Sequence, residues 1–119
     1  MKILLDTNFL FLWKKSKIDI FSEIKRICDF NYKLYILDKS IDEIKKLKIS
    51  GYRVALGLLD KNNVAVIKTD SKQKVDDVIL EHLDKNTILA TADIELKNKA
   101  KQKKIKTITV RKGQYLILD

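Results

Sequence analysis

Four carboxylates stand at points where a folded chain can gather them. Asp6 follows the apolar run Ile3-Leu4-Leu5, Glu43 follows Ser40-Ile41-Asp42, Asp76 precedes Asp77-Val78-Ile79, and Asp93 follows Thr91-Ala92. Carboxylates forced together repel one another unless a divalent cation lies between them. With no histidine or cysteine among them, such an all-oxygen set suits Mg²⁺ or Mn²⁺ rather than zinc. Other catalysts are scarce. His82 is the one histidine and reads as a partly exposed helix residue rather than a general base. Cys28 is the one cysteine; beside Ile24 and Ile27 it reads as a small buried hydrophobe and excludes a disulfide framework.

The elements that must carry these acids follow from periodicity. Lys2 to Leu5 reads as a buried strand ending at Asp6, Lys33 to Leu37 as a second, Val64 to Ile67 as a third, Thr87 to Thr91 as a fourth and Ile105 to Val110 as a fifth. Helical spacing marks Asp19 to Phe30, a helix opened by Ser40 and carrying Ile41, Ile44 and Leu47, then Tyr52 to Asp60, Val75 to Leu83 and Ile94 to Lys103. Tyr115 to Leu118 is an apolar tail suited to an edge or hairpin strand after Lys112-Gly113. Strands alternating with helices imply right-handed crossovers, hence a single α/β domain: a three-layer sandwich on a mainly parallel sheet of four or five strands. Ligands of open α/β sheets bind beyond the carboxyl ends of the strands. Asp6 ends strand one, Glu43 lies in the first turn of the helix after strand two, Asp76 starts the helix after strand three, and Asp93 follows strand four. All four reach the same edge.

Each acid also has a plainer role open to it. Ser40 and Glu43 fit a capping box, Asp93 fits a helix cap, and Asp76 and Asp77 lie in a first turn where the helix dipole favours acids. Asp6 fits such a role least, because a charge closing an apolar central strand does nothing for packing. Asp38 and Asp70 also follow strands but read as turn residues. Helical phase separates the neighbours Asp76 and Asp77. Val75, Val78, Ile79 and Leu83 define one face at about 100° per residue; Asp76 flanks it and Asp77 points away.

The net charge is +9, from 25 basic and 16 acidic residues, which suits a polyanionic partner. Lys97, Lys99, Lys101, Lys103, Lys104 and Lys106 form the densest group and are candidates for contact with nucleic acid, the alternative being a solvated helix face. The longest apolar run, Phe9 to Trp13, is far short of a membrane helix, and Asp6 interrupts any leader-like start, so a cytoplasmic protein with no membrane role is expected.

With the acids located, the chain resembles the PIN-domain nucleases over nearly its whole length. The matching segments are Ile3-Leu4-Leu5-Asp6-Thr7-Asn8, Ile41-Asp42-Glu43-Ile44, Val75-Asp76-Asp77-Val78-Ile79-Leu80 and Leu89-Ala90-Thr91-Ala92-Asp93-Ile94-Glu95-Leu96. It looks most like compact archaeal members related to small-subunit ribosomal RNA processing endonucleases, with the VapC-type toxin ribonucleases as the nearest alternative. The resemblance implies an endoribonuclease that hydrolyses phosphodiester bonds in single-stranded RNA with one or two Mg²⁺ or Mn²⁺ ions. By it, Asp6, Asp76 and Asp93 hold metal, Glu43 completes the catalytic pocket, and Asn8, Thr91 and Asp77 support it. A homodimer is implied in the same way, and an antitoxin or a ribosome-assembly partner according to the role. Ala92 stands where the family often has Asn. Two other readings compete: a PIN fold that holds RNA without cutting it, and a receiver domain, which would need a second acid beside Asp6 after strand one.

Overall fold

A computed structural model of the chain describes residues 1–70 and 72–119. Its sheet has six strands: β1 (Lys2–Leu5), β2 (Lys33–Leu37), β3 (Ala65–Ile67), β4 (Thr87–Ala90), β5 (Thr107–Arg111) and β6 (Tyr115–Leu118). The order is β3-β2-β1-β4-β5-β6. All neighbours are parallel except β5 and β6, which form an antiparallel hairpin. Four or five strands are thus corrected to six, because the apolar tail pairs along the whole of β5 from Arg111–Tyr115 to Ile108–Leu118.

Among the described residues six helices cover the sheet: α1 (Leu12–Lys15), α2 (Ile20–Ile27), α3 (Asp38–Leu47), α4 (Tyr52–Lys61), α5 (Val75–Glu81) and α6 (Ile94–Gln102). Side-chain alternation along the strands sorts the core into two halves. Ile3, Leu5, Ile36, Ile88 and Ala90 pack with Ile24, Ile44 and Leu59 from α2, α3 and α4. Leu4, Leu37 and Leu89 face the other way, onto Val78 and Ile79 of α5 and Leu96 and Ala100 of α6. Strands buried on both faces read as continuous apolar runs, which is why β1 and β4 are nearly uniform in hydrophobicity.

Several boundaries differ from the periodic reading. The run Asn8 to Phe11 forms a 3₁₀ turn leading into α1, burying Phe9, Leu10 and Leu12. Five consecutive apolar residues carry no period from which a helix could be read. α2 stops at Ile27, where Cys28 turns extended, and α5 stops at Glu81, where the His82 amide closes on Ile79 and Leu80. Ile105 is buried but belongs to the turn after α6, its amide bonded to the Ala100 carbonyl at 3.1 Å. Gly51, before α4, has φ +84°, and a Cβ there would lie 3.0 Å from the Trp13 ring.

α3 is the consequential difference. It begins at Asp38, directly after β2, with Leu37 as its cap residue and no side-chain cap. Asp38 Oδ1 accepts from the Lys39 amide and the Thr69 hydroxyl, both at 2.7 Å, and Oδ2 accepts from the Thr69 amide at 3.0 Å. The residue read as a turn therefore clasps the start of α3 to the loop after β3.

Candidate active site

The chain builds β1, β2 and β3 outward in one direction, then places β4 on the opposite side of β1. A crevice opens at such a reversal, beyond the carboxyl ends of the two strands. Leu5 of β1 and Ala90 of β4 are register partners, so Asp6 and Thr91 leave the sheet side by side. Asp6 is only 5% exposed, and Thr91 is fully buried.

One hydroxyl organises the pair. Thr91 Oγ donates to Asp6 Oδ2 at 2.7 Å and accepts from the Asp93 amide at 3.0 Å. The Thr7 amide donates to Asp6 Oδ1 at 2.8 Å. Two donors lower the cost of charge on Asp6 but do not remove it. Burial raises its pKa from 3.8 to about 6 against those hydrogen bonds, and the nearby charges of Asp76 and Asp93 add to the rise. A buried carboxyl with two further acids near it is a place where a cation is favourable.

Asp93 is the cap of α6. Its Oδ1 accepts from the Glu95 and Leu96 amides at 2.9 and 3.2 Å. Both cap bonds fall on Oδ1, so capping and a place in the site coexist in one side chain. Asp76 is exposed as a residue, yet its carboxyl is held above its ordinary range, first by partial loss of solvent and next by Asp93; Lys99 opposes the rise. Helical phase thus turns Asp76 toward α6. Asp77 is also exposed and adds to the charge around Asp76.

Glu43 is half-buried in α3. Since that helix starts at Asp38, Glu43 lies in its second turn rather than its first. The capping box is absent: Ser40 is fully buried inside the helix and its hydroxyl has no partner. The carboxylates that weigh on Asp6 are Asp76 and Asp93. Asn8 supports backbone rather than a carboxylate, its Oδ1 accepting from the Ala92 amide at 3.3 Å. Sequence reasoning missed Thr7, whose amide holds Asp6 and whose buried hydroxyl is unpartnered. Its place directly after Asp6 was the available signal.

The lysine run does not act as one surface. Lys101 lies 2.6 Å and Lys97 3.9 Å from the Asp119 carboxylate. Lys99 lies 3.8 Å from Glu95, and Lys103 Nζ donates to the Leu80 carbonyl. Lys104 sits in the turn closing α6, at φ +60°. Two roomier concavities, of about 410 and 610 Å³, lie along α2 and α4 and include none of the four acids. Among the described residues no helix is long and apolar enough to cross a membrane.

Comparison with known proteins bears on the family and the fold. The chain is 31% identical over 123 residues to "Ribonuclease VapC4" of Methanocaldococcus jannaschii, covering 96% of this chain and 93% of that protein. The solved PIN domain endonuclease Utp24 superposes with a TM-score of 0.86 over 99% of this chain and 90% of its own, at 24% identity, a likeness that speaks to the fold. Residues 3–113 match the family described as "PIN like domain". From Ile3 at the foot of the first strand to Gly113 in the last hairpin, the chain belongs to that family.

Proposed function

We propose that the chain is an endoribonuclease that hydrolyses phosphodiester bonds in single-stranded RNA, with Asp6, Asp76 and Asp93 as its working carboxylates. The observation that carries this reading is the buried Asp6, held by Thr91 and Thr7 and pushed to about 6 in a place it shares with Asp76 and Asp93. No packing role calls for that arrangement. The relative named a ribonuclease, matched over nearly its full length, supports the same reading.

Among the described residues no three acids, histidines or cysteines form a ready-made metal cage. That donor arrangement still fits Mg²⁺ or Mn²⁺. Mg²⁺ keeps several waters and is bound through one or two carboxylates plus substrate phosphate rather than by a closed protein cage. Asp6, Asp76 and Asp93 would hold such an ion. When bound, it supplies a water of lowered pKa and stabilises charge on the phosphoryl oxygens. The chain's own residues set the stage. Thr91 fixes Asp6 and the start of the Asp93 turn with one hydroxyl, and Asn8 fixes the Ala92 amide between them. Asp76 reaches the site from α5 as the third carboxylate. Glu43, half-buried on α3, would orient substrate or water.

Two roles suit an enzyme of this kind: ribosomal RNA processing, and a VapC-type toxin paired with an antitoxin. The 31% identity to VapC4 favours the second. Incubation of the protein with a labelled single-stranded RNA, with Mn²⁺ and with EDTA, tests the activity. Metal-dependent products bearing 5′-phosphate and 3′-hydroxyl ends are expected; intact RNA under both conditions would leave a non-cleaving RNA-binding module.

A further inference from the structure

Next to the acids lies a small concavity of about 140 Å³, lined by Thr91, Ala92, Asp93, Ile94, Lys97, Thr109 and Val110. The hollow has room for a planar ring. Ile94, at 74%, is the most exposed large hydrophobic among the described residues. A single exposed aliphatic is ordinary on a protein surface. What sets Ile94 apart is its place, one residue after Asp93 and on the wall of a hollow that Asp93 itself lines.

The other walls agree with one occupant. Ala92 and Val110 are half-buried and apolar, and the short Ala92 side chain leaves the floor open. Asn8 holds the Ala92 amide and so fixes that floor. Lys97 contributes a cation only loosely engaged: Asp119 is 3.9 Å away and has a closer partner in Lys101 at 2.6 Å. An apolar slot with a cation at its rim, opening onto a carboxylate that works on phosphate, matches the alternation of base and phosphate along a nucleic-acid strand.

We propose that this concavity seats the nucleobase adjoining the phosphodiester that is cut, its ring against Ile94, Ala92 and Val110, with Lys97 over the neighbouring phosphate. The inference rests on the endoribonuclease reading and names the subsite that reading lacks. Apolar contact with a ring face is tolerant of base identity, so the subsite fixes where along the strand the phosphate is placed more than which base is read.

Two measurements test it. RNA oligonucleotides carrying one abasic position, placed in turn on each side of the cleaved bond, are compared for the wild type and Ile94→Ser. Removal of the base on one side should raise KM for the wild type by about tenfold, the scale of burying one side chain's worth of apolar surface. For Ile94→Ser the same removal should matter less than about twofold, with an unchanged melting temperature because Ile94 packs against nothing in the core. Equal abasic effects in the two proteins overturn the proposal. Independently of cleavage, the methyl resonances of Ile94 and Val110 are followed in EDTA during titration with a single-stranded tetranucleotide. Both should shift, and methyls unmoved at saturation overturn the subsite. Moving methyls in a protein that cuts nothing would sink the endoribonuclease reading while leaving the base seat standing.

Discussion

Replacing Asp6 by Asn probes the site through stability, with no substrate needed. In the folded chain the Asp6 carboxyl is raised from 3.8 to about 6 by burial and by Asp76 and Asp93. That difference of about two pH units corresponds to about 3 kcal/mol at about 1.4 kcal/mol per unit. The folded form therefore binds a proton more tightly than the unfolded chain does. Stability is lost as pH rises from about 4 to about 6, and the loss is complete above that window. Asparagine is isosteric and uncharged, so it escapes the penalty, but it must place an amide against Thr91. The Thr91 hydroxyl already accepts from the Asp93 amide and would now lose its own acceptor, a cost of about 1–2 kcal/mol. Without metal, Asp6→Asn is thus expected to be about 1–2 kcal/mol more stable than the wild type at about pH 7.5. At about pH 3.5, where the wild-type Asp6 is protonated in both states, the advantage should vanish or reverse. Urea denaturation in EDTA at the two pH values measures it. A variant less stable at neutral pH, by an amount that does not change on acidification, would refute the account of Asp6 as a carboxyl raised by burial and by its acidic neighbours. Adding Mn²⁺ should invert the ranking. The wild type gains about 2.7 kcal/mol at a hundredfold excess over Kd, and Asp6→Asn gains little.

Three further outcomes are expected. Asp76→Asn should lose Mn²⁺-induced thermal stabilisation and about 10²-fold or more of RNA cleavage, while Asp77→Asn keeps both; an inactive Asp77→Asn would put the helical phase off by one residue. Thr91→Val removes the hydroxyl that serves both Asp6 and the Asp93 amide, and should cost about 1–3 kcal/mol in denaturant unfolding. Neutralising Lys99, Lys103 and Lys104 together should flatten the slope of log affinity for single-stranded RNA against log salt by up to about 2, read from binding isotherms. An unchanged slope would make that run a solvated face.

How much of this was legible in the sequence depends on how local each signal is. The strands follow from short apolar runs, so β1 and β2 stand where they were read and β4 ends one residue sooner, at Ala90. The phase that turns Asp76 toward α6 is likewise a property of a few neighbouring residues. The start of α3 was not legible, because the sequence offers Ser40 and Glu43 at capping-box spacing. Asp38 overrides it through a partner, Thr69, that lies 31 positions away and is brought close only by the pairing of β2 and β3. The partners of the α6 lysines were equally out of reach. Spacing makes them a run, while Asp119, just past β6, pairs closely with Lys101 at 2.6 Å and only distantly with Lys97 at 3.9 Å.

Asp93 shows why competing accounts of one residue need not exclude each other. A helix cap requires an acceptor at the end of a strand-to-helix turn, and a site at the carboxyl edge of a parallel sheet requires polar groups at the same turns. The two demands coincide in position, and a carboxylate has two oxygens with which to meet them. Both cap bonds of Asp93 fall on Oδ1. The amide of the same residue is bonded to Thr91, and Thr91 to Asp6. The cap that starts α6 is thereby tied to the end of β1 through a single hydroxyl. Loss of that hydroxyl should disturb both ends at once, which separates a connected site from two acids that merely lie near each other.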